Sequence, residues 1–196
     1  LCFYAPGYAN REQGLSDANI AAVTGFHVTH TGPGEIMRYH LSNTTHPITQ
    51  GLRTDADYAI QPYGYELSRK LHPPAFGPVF RITDAGDGAL GAYPDGGVAL
   101  AAKDFGAWKS VYCAVPYMAA EVLRGVCRYA GVHLYCEENV VLKADNRCVM
   151  LHHGTGAPRA VTLKLPQERR VTDLCTGEVL AARAQTLQVT LQPLQT

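Results

Sequence analysis

The chain lacks an excess of charge of either sign: Lys and Arg number 17, as do Asp and Glu, for a formal net charge of zero. Nucleic-acid binders carry a basic surplus or stripe; neither is present, so nucleic acid is not an expected partner. No apolar run approaches the roughly 20 residues that a membrane helix needs, and a membrane partner is not expected either. None of the six cysteines (Cys2, Cys113, Cys127, Cys136, Cys148, Cys175) stands in a Cys-x-x-Cys pair or a Cys/His cluster of zinc-ligand spacing. Most fall within apolar strand or helix patterns, where a thiol behaves as a small hydrophobe. They read as reduced structural cysteines, which suits a cytoplasmic setting, although an even count leaves a secreted parent open. No metal or cofactor is expected. An initiator Met is also missing, and Leu1-Cys2-Phe3-Tyr4 already reads as a buried strand, so the expectation is a part of a longer polypeptide.

What is present begins with length. The 196 residues can bury a sizeable core as one large domain or as a medium and a small one. Residues 106–135 read as a strand, a helix started by Pro116 and the opening of another strand. The pattern places apolar residues at Ala119, Val122, Leu123, Val126, Cys127 and Ala130 on one stripe. Glu121, Arg124 and Arg128 take the opposite face, and Gly131 stands where a helix takes its left-handed residue.

Nearer the start, Ala5-Pro6-Gly7 is a turn after the first strand. Ser16 then caps a helix that Gly25 ends, with Leu15 and Ile20 at the positions of a hydrophobic staple. A strand at 26–30 follows. Strand, helix and strand in this order predict a parallel α/β sheet. Residues 42–78 are irregular and rich in Pro, Gly, Asn and Tyr. Further strands are expected at 79–83 and 98–103, with turns at 84–88 and 93–97. Beyond Tyr135 short alternating strands near 139–144, 148–152, 159–165, 171–174 and 186–191 predict a small antiparallel β-domain.

Several phrases taken in order are similar to the non-catalytic C-terminal region of large glycoside hydrolases of the β-galactosidase type. They are Phe3-Tyr4-Ala5-Pro6-Gly7-Tyr8, His46-Pro47-Ile48 with Gly51-Leu52, Leu90-Gly91, Trp108-Lys109-Ser110-Val111-Tyr112 and Arg128-Tyr129-Ala130-Gly131-Val132-His133. Leu151-His152-His153, Leu163-Lys164-Leu165-Pro166 and Val171-Thr172-Asp173-Leu174 with Thr176-Gly177-Glu178 continue the series. The resemblance implies an incomplete flavodoxin-like domain of the class I glutamine-amidotransferase type over 1–135, the "trimerisation" domain of such enzymes. A small antiparallel β-sandwich-like domain over 136–196 would follow. It also implies a homo-oligomer and an upstream catalytic domain of the parent chain as partners.

An amidotransferase-type hydrolase needs a Cys nucleophile on a sharp strand-to-helix turn, with a His base and a Glu that orients it. By the resemblance those places fall at Ala5, Val115 and Tyr117, none of which can do the chemistry. No catalytic residue is therefore expected here. A glycosidase pair of carboxylates is not evident either, because Asp84, Asp87, Asp95 and Asp104 sit in Gly-rich turns, where Asp caps local backbone. For a metal, His27 with His30 and His152 with His153 point to opposite faces of their strands, and 84–88 lacks calcium-loop spacing.

The aromatics Tyr58, Tyr63, Tyr65, Phe76 and Trp108, together with His46, are candidates for carbohydrate stacking or for a subunit interface. Three functions follow. The first is a non-catalytic assembly region of a glycoside hydrolase; the second, a carbohydrate-binding module using loop 42–78; the third, a hydrolase with an unfamiliar site built from His46, Asp84 and Asp95.

Overall fold

The computed structural model describes residues 1–33, 38–58, 77–154 and 156–193. They divide into two compact units, Leu1–Ala130 and Gly131–Thr196. The first contains β1 (Cys2–Phe3), β2 (Ala9–Asn10), β3 (Gly14–Leu15), α1 (Asp17–Thr24), β4 (Val28–Thr31) and β5 (His40–Leu41). It continues through β6 (Val79–Ile82), a 3-10 turn at Gly86–Gly88, β7 (Ala89–Ala92), β8 (Val98–Asp104), β9 (Lys109–Cys113) and α2 (Ala120–Tyr129).

Among the described residues seven strands form one sheet in the order β1-β9-β8-β6-β4, with β7 branching from β8 to carry β5. β1 and β9 are parallel, and the other ladders of this sheet are antiparallel. The sheet is mixed, which corrects the expectation of a parallel one. β1 and β4 stand at opposite ends of the order, because three strands from later in the chain insert between them. Local strand-helix-strand patterning carries no information about such insertion.

Alternation along the strands sends side chains to two cores, one on each face. Val111 and Cys113 of β9, Leu100 of β8 and Val79 of β6 join Val122 and Val126 of α2. Tyr112, Ala101, Phe80 and Ile82 join Ile20 of α1 and Phe26. A helix thus covers each face, the layering of an α/β protein.

Ser16 caps α1 as expected, its hydroxyl accepting the Ala18 N–H at 3.2 Å, and Gly25 closes it at φ 74°. The staple does not form. Leu15 pairs with Ala9 in the β2–β3 ribbon and stays 70% exposed, while Ile20 is buried.

α2 begins at Ala120 rather than at Pro116 and has no side-chain cap. The chain after β9 stays out of helix long enough to bury Val115 and Met118 in the core. The buried stripe is Val122, Gly125 and Val126, with Leu123 left exposed. Gly131 does take the left-handed conformation at φ 71°, but no strand follows it over 131–135.

The second unit contains β10 (Val141–Ala144) paired antiparallel with β11 (Val149–His152), and β12 (Arg159–Thr172) paired antiparallel with β13 (Val179–Leu191). Its core is Cys136, Leu151, Val161 and Leu191. The strands expected at 159–165 and 171–174 are one strand. Pro166 sits in a register break between Lys164 and Arg169, where its missing N–H costs no ladder bond. Among the described residues no helix is long and apolar enough to cross a membrane.

Candidate functional site

The turn after β1 is held by Tyr4, which adopts φ 55°, a conformation that a residue with a side chain adopts at a cost. Its surroundings over-determine it. The Tyr4 N–H donates to Cys113 O at 2.8 Å, and the Tyr112 hydroxyl donates to Tyr4 O at 2.5 Å. The Tyr4 hydroxyl in turn donates to Pro78 O at 2.9 Å. Its ring meets Phe80 edge-on at 5.4 Å, and burial, then the nearby Tyr8, raises its pKa.

This strained corner follows β1, but the β2–β3 ribbon stands between it and α1, so it is not the direct strand-to-helix turn that exposes a nucleophile in hydrolases. Here the corner residue is a tyrosine whose hydroxyl is spent on a backbone carbonyl. The sequence reading put the corner at Ala5, one residue later, because a non-glycine at positive φ leaves no compositional mark.

Val115 is fully buried and Tyr117 is 46% exposed. Neither offers an acid or a base of imidazole or carboxylate type. The thiol on the neighbouring strand, Cys113, lies opposite Phe3 in register. Burial pushes it up to about 12, against smaller contributions from the Val115 N–H and the Tyr39 hydroxyl, which favour the thiolate. A thiol so protonated is a poor nucleophile. The Tyr39 hydroxyl is itself buried, with Cys113 as the group it faces.

The other candidates do not converge. His46 closes a turn: its carbonyl accepts the Thr49 and Gln50 N–H groups, and its Nδ1 accepts the Ile48 N–H at 3.2 Å. Its ring lies 5.0 Å from Tyr129, and burial, then the Lys109 charge, lowers its pKa. Asp84 engages His27 and Lys103, while Asp95 engages Arg81 at 2.5 Å and the Gly97 N–H at 3.0 Å. Among the described residues the three share no partner, which counts against a site built from His46, Asp84 and Asp95.

His27 and His30 bind different carboxylates, Asp84 and Asp17, at 3.0 and 2.8 Å. His153 is buried with Nε2 at 2.8 Å from Ala157 O. Among the described residues no group of three or more His, Cys, Asp or Glu could hold a metal.

Of the aromatic candidates, Tyr58 is buried and stacks on Tyr39 at 6.0 Å, so its ring packs the core. Tyr63, Tyr65 and Phe76 lie outside the described residues. Trp108 is 49% exposed and stacks on Phe105 at 4.3 Å and 10°. Phe105 escaped the sequence reading. The signal was a tight turn at Asp104-Phe105-Gly106 with a second aromatic two residues beyond, which hairpin pairing brings ring to ring.

With this geometry in hand, comparison with solved structures finds the same arrangement inside much larger proteins. Two structures of Gan42B, a GH42 β-galactosidase from G. stearothermophilus, align over 98% of this chain at a TM-score of 0.53 and 14% identity. The β-galactosidase of Bacillus circulans sp. alkalophilus aligns over 98% as well, with a TM-score of 0.53 and 17% identity. The likeness is one of fold. The chain spans 26–27% of the length of those proteins. No known family's sequence pattern matches it, and no curated protein matches it by sequence.

Proposed function

We propose that the chain is a non-catalytic scaffold and assembly region of a glycoside hydrolase of the β-galactosidase type. The observation that carries the reading is the fold likeness, which takes in 98% of this chain but only about a quarter of each β-galactosidase. The corner at Tyr4 supports it from within. The turn after β1 bears a hydrogen-bonded tyrosine in place of a nucleophile, and the neighbouring thiol is held protonated.

On this reading the first unit is an incomplete flavodoxin-like domain of the class I amidotransferase type, acting in homo-oligomer formation, and the second is a small β-sandwich-like companion. The catalytic barrel belongs to another part of the parent protein. Light scattering coupled to size-exclusion chromatography tests the assembly role. The expected result is a homo-oligomer for the parent protein that falls to a monomer when this region is deleted. A parent that is monomeric with and without the region overturns the role. The isolated chain should not hydrolyse a nitrophenyl galactoside.

A further inference from the structure

The two edges of the β12–β13 ribbon differ in what covers them. Along 159–165 the outer edge of β12 is occupied by the same unit. Its Lys164 N–H donates to Tyr135 O at 2.7 Å and its Thr162 N–H to Glu138 Oε1 at 3.0 Å. The Lys164 carbonyl lies 2.9 Å from His133 Nε2.

Those bonds fix the phase of the ladder. In an antiparallel pair the backbone groups of successive residues point alternately toward the partner strand and away from it. Thr162 and Lys164 point away, and they stand opposite Gln188 and Thr186. Thr186, Gln188 and Thr190 therefore turn their N–H and C=O groups to the outer edge of β13. Among the described residues no strand pairs with that edge, and no hydrogen bond reaches it at these three residues.

An open strand edge is a template for another chain, and proteins blunt it with Pro, charge or a bulge. Residues 186–191 of β13 carry no Pro, no charged side chain and no break in register. The one charge of β13, Arg183, is engaged by Glu168 of β12.

The residues along this edge are matched to themselves. About Gln188 the order Thr186-Leu187-Gln188-Val189-Thr190 is nearly the same in both directions. Laid antiparallel on a second copy, Thr186 meets Thr190, Leu187 meets Val189, and Gln188 meets Gln188. Thr–Thr pairs across strands are favourable. Leu187 and Val189 are half-buried, and their meeting extends the layer in which Val161 and Leu191 are buried. We infer that the outer edge of β13 pairs antiparallel with the same edge of a second copy, about a two-fold axis at Gln188. This contact lies in the second unit and is additional to the assembly role proposed for the first.

Covalent trapping tests the register. In the paired edges the two copies of position 188 form a hydrogen-bonded pair with Cα atoms about 5.5 Å apart, inside the range that a disulfide spans. The two copies of position 190 stand about 14 Å apart, outside it. Under mild oxidation Gln188→Cys should give a covalent dimer linked at position 188, identified by peptide mapping. Its yield should exceed that of the corresponding Thr190→Cys dimer about tenfold or more.

Sedimentation equilibrium of the 196-residue chain tests the association itself. Gln188→Pro removes an N–H that the β12 ladder does not use. Where pairing is saturated in the unmodified chain, this variant should show half the mass. Gln188→Lys sets like charges face to face across the axis and should do the same with the backbone intact. Circular dichroism checks that both variants fold.

Equal trapping at positions 188 and 190 overturns the inference. So does a mass that neither Gln188→Pro nor Gln188→Lys lowers. An oligomer that persists at full mass in both variants would leave the assembly role of the first unit standing and remove this contact.

Discussion

Gly125 lies against the carbonyl oxygen of Ile48 so closely that a Cβ built on it would stand 1.8 Å away. The contact lets α2 approach the turn closed by His46, and it places Val122 and Val126 in the core beside Ile48. Gly125→Ala should therefore cost stability despite the better helix propensity of alanine. Overpacking against a rigid backbone costs about 3 kcal/mol, well above the roughly 1 kcal/mol that alanine gains over glycine in a helix. Denaturant unfolding of the two proteins checks the sign.

At the corner after β1, the Tyr4 hydroxyl is bonded to Pro78 O across 74 positions of sequence. Tyr4→Phe keeps the ring on Phe80 and removes the bond, for an expected loss of about 1 kcal/mol. Tyr4→Ala removes the aromatic contact too and should cost more, with the positive φ still imposed. Thermal unfolding of the series parent, Tyr4→Phe and Tyr4→Ala should fall in that order.

The carboxylate of Asp84 ties the end of β6 to His27 and Lys103. Burial acts to raise its pKa, but the hydrogen bonds from the His27 imidazole, the Lys103 ammonium and the His27 N–H outweigh burial and hold it below the ordinary value of 3.8. A carboxylate depressed in the folded state adds stability that is complete above its unfolded pKa and is lost as pH falls through the folded one. Acid titration of stability from pH 5 downward should thus be steeper in the parent than in Asp84→Asn, with the difference confined to the region below about 4.

Thiol reactivity should separate the cysteines by environment. Cys175 lies exposed at the tip of the β12–β13 hairpin, where Asp173 Oδ1 accepts its N–H at 2.7 Å. Cys113 is buried and its thiol is held protonated. A water-soluble disulfide reagent at pH 8 should modify Cys175 first and leave Cys113 untouched until the protein unfolds, as peptide mapping by mass spectrometry will read. Modification of native Cys113 at a comparable rate would contradict its assigned environment.

Hydrogen exchange should divide the hairpin itself. Val161, Leu163 and Leu165 of β12 and Leu191 of β13 are buried, whereas none of Pro166–Thr172 is, and Leu174 at the tip is 79% exposed. A two-stranded ribbon without a core is marginal in water. Amides of 167–184 are expected to exchange faster than those of 159–165 and 186–191.

How much of this was legible in the sequence varies with the range of the interaction. Ser16 and Gly25 declared α1 because caps act through hydrogen bonds two to four residues long. The strands around Val79, Val98, Val149 and Arg159 were visible as apolar or alternating runs. The resemblance to part of a β-galactosidase was carried by short phrases in order, and solved structures of that kind share the fold.

Pairing was decided by tertiary structure alone. A strand pattern states that residues are extended but not which edge they join, so the insertion of β9, β8 and β6 between β1 and β4 had no local sign. Positive φ at Tyr4 is likewise paid for by partners 74 and 108 positions away, the Pro78 carbonyl and the Tyr112 hydroxyl. A row from His27 through Asp84 and Lys103 to Phe105 and Trp108 joins three separate stretches of chain, and only folding places its charge beside its rings. Composition and spacing determined which elements this chain could form. Long-range hydrogen bonding and burial, which sum over contacts that the order of residues does not list, decided how those elements meet.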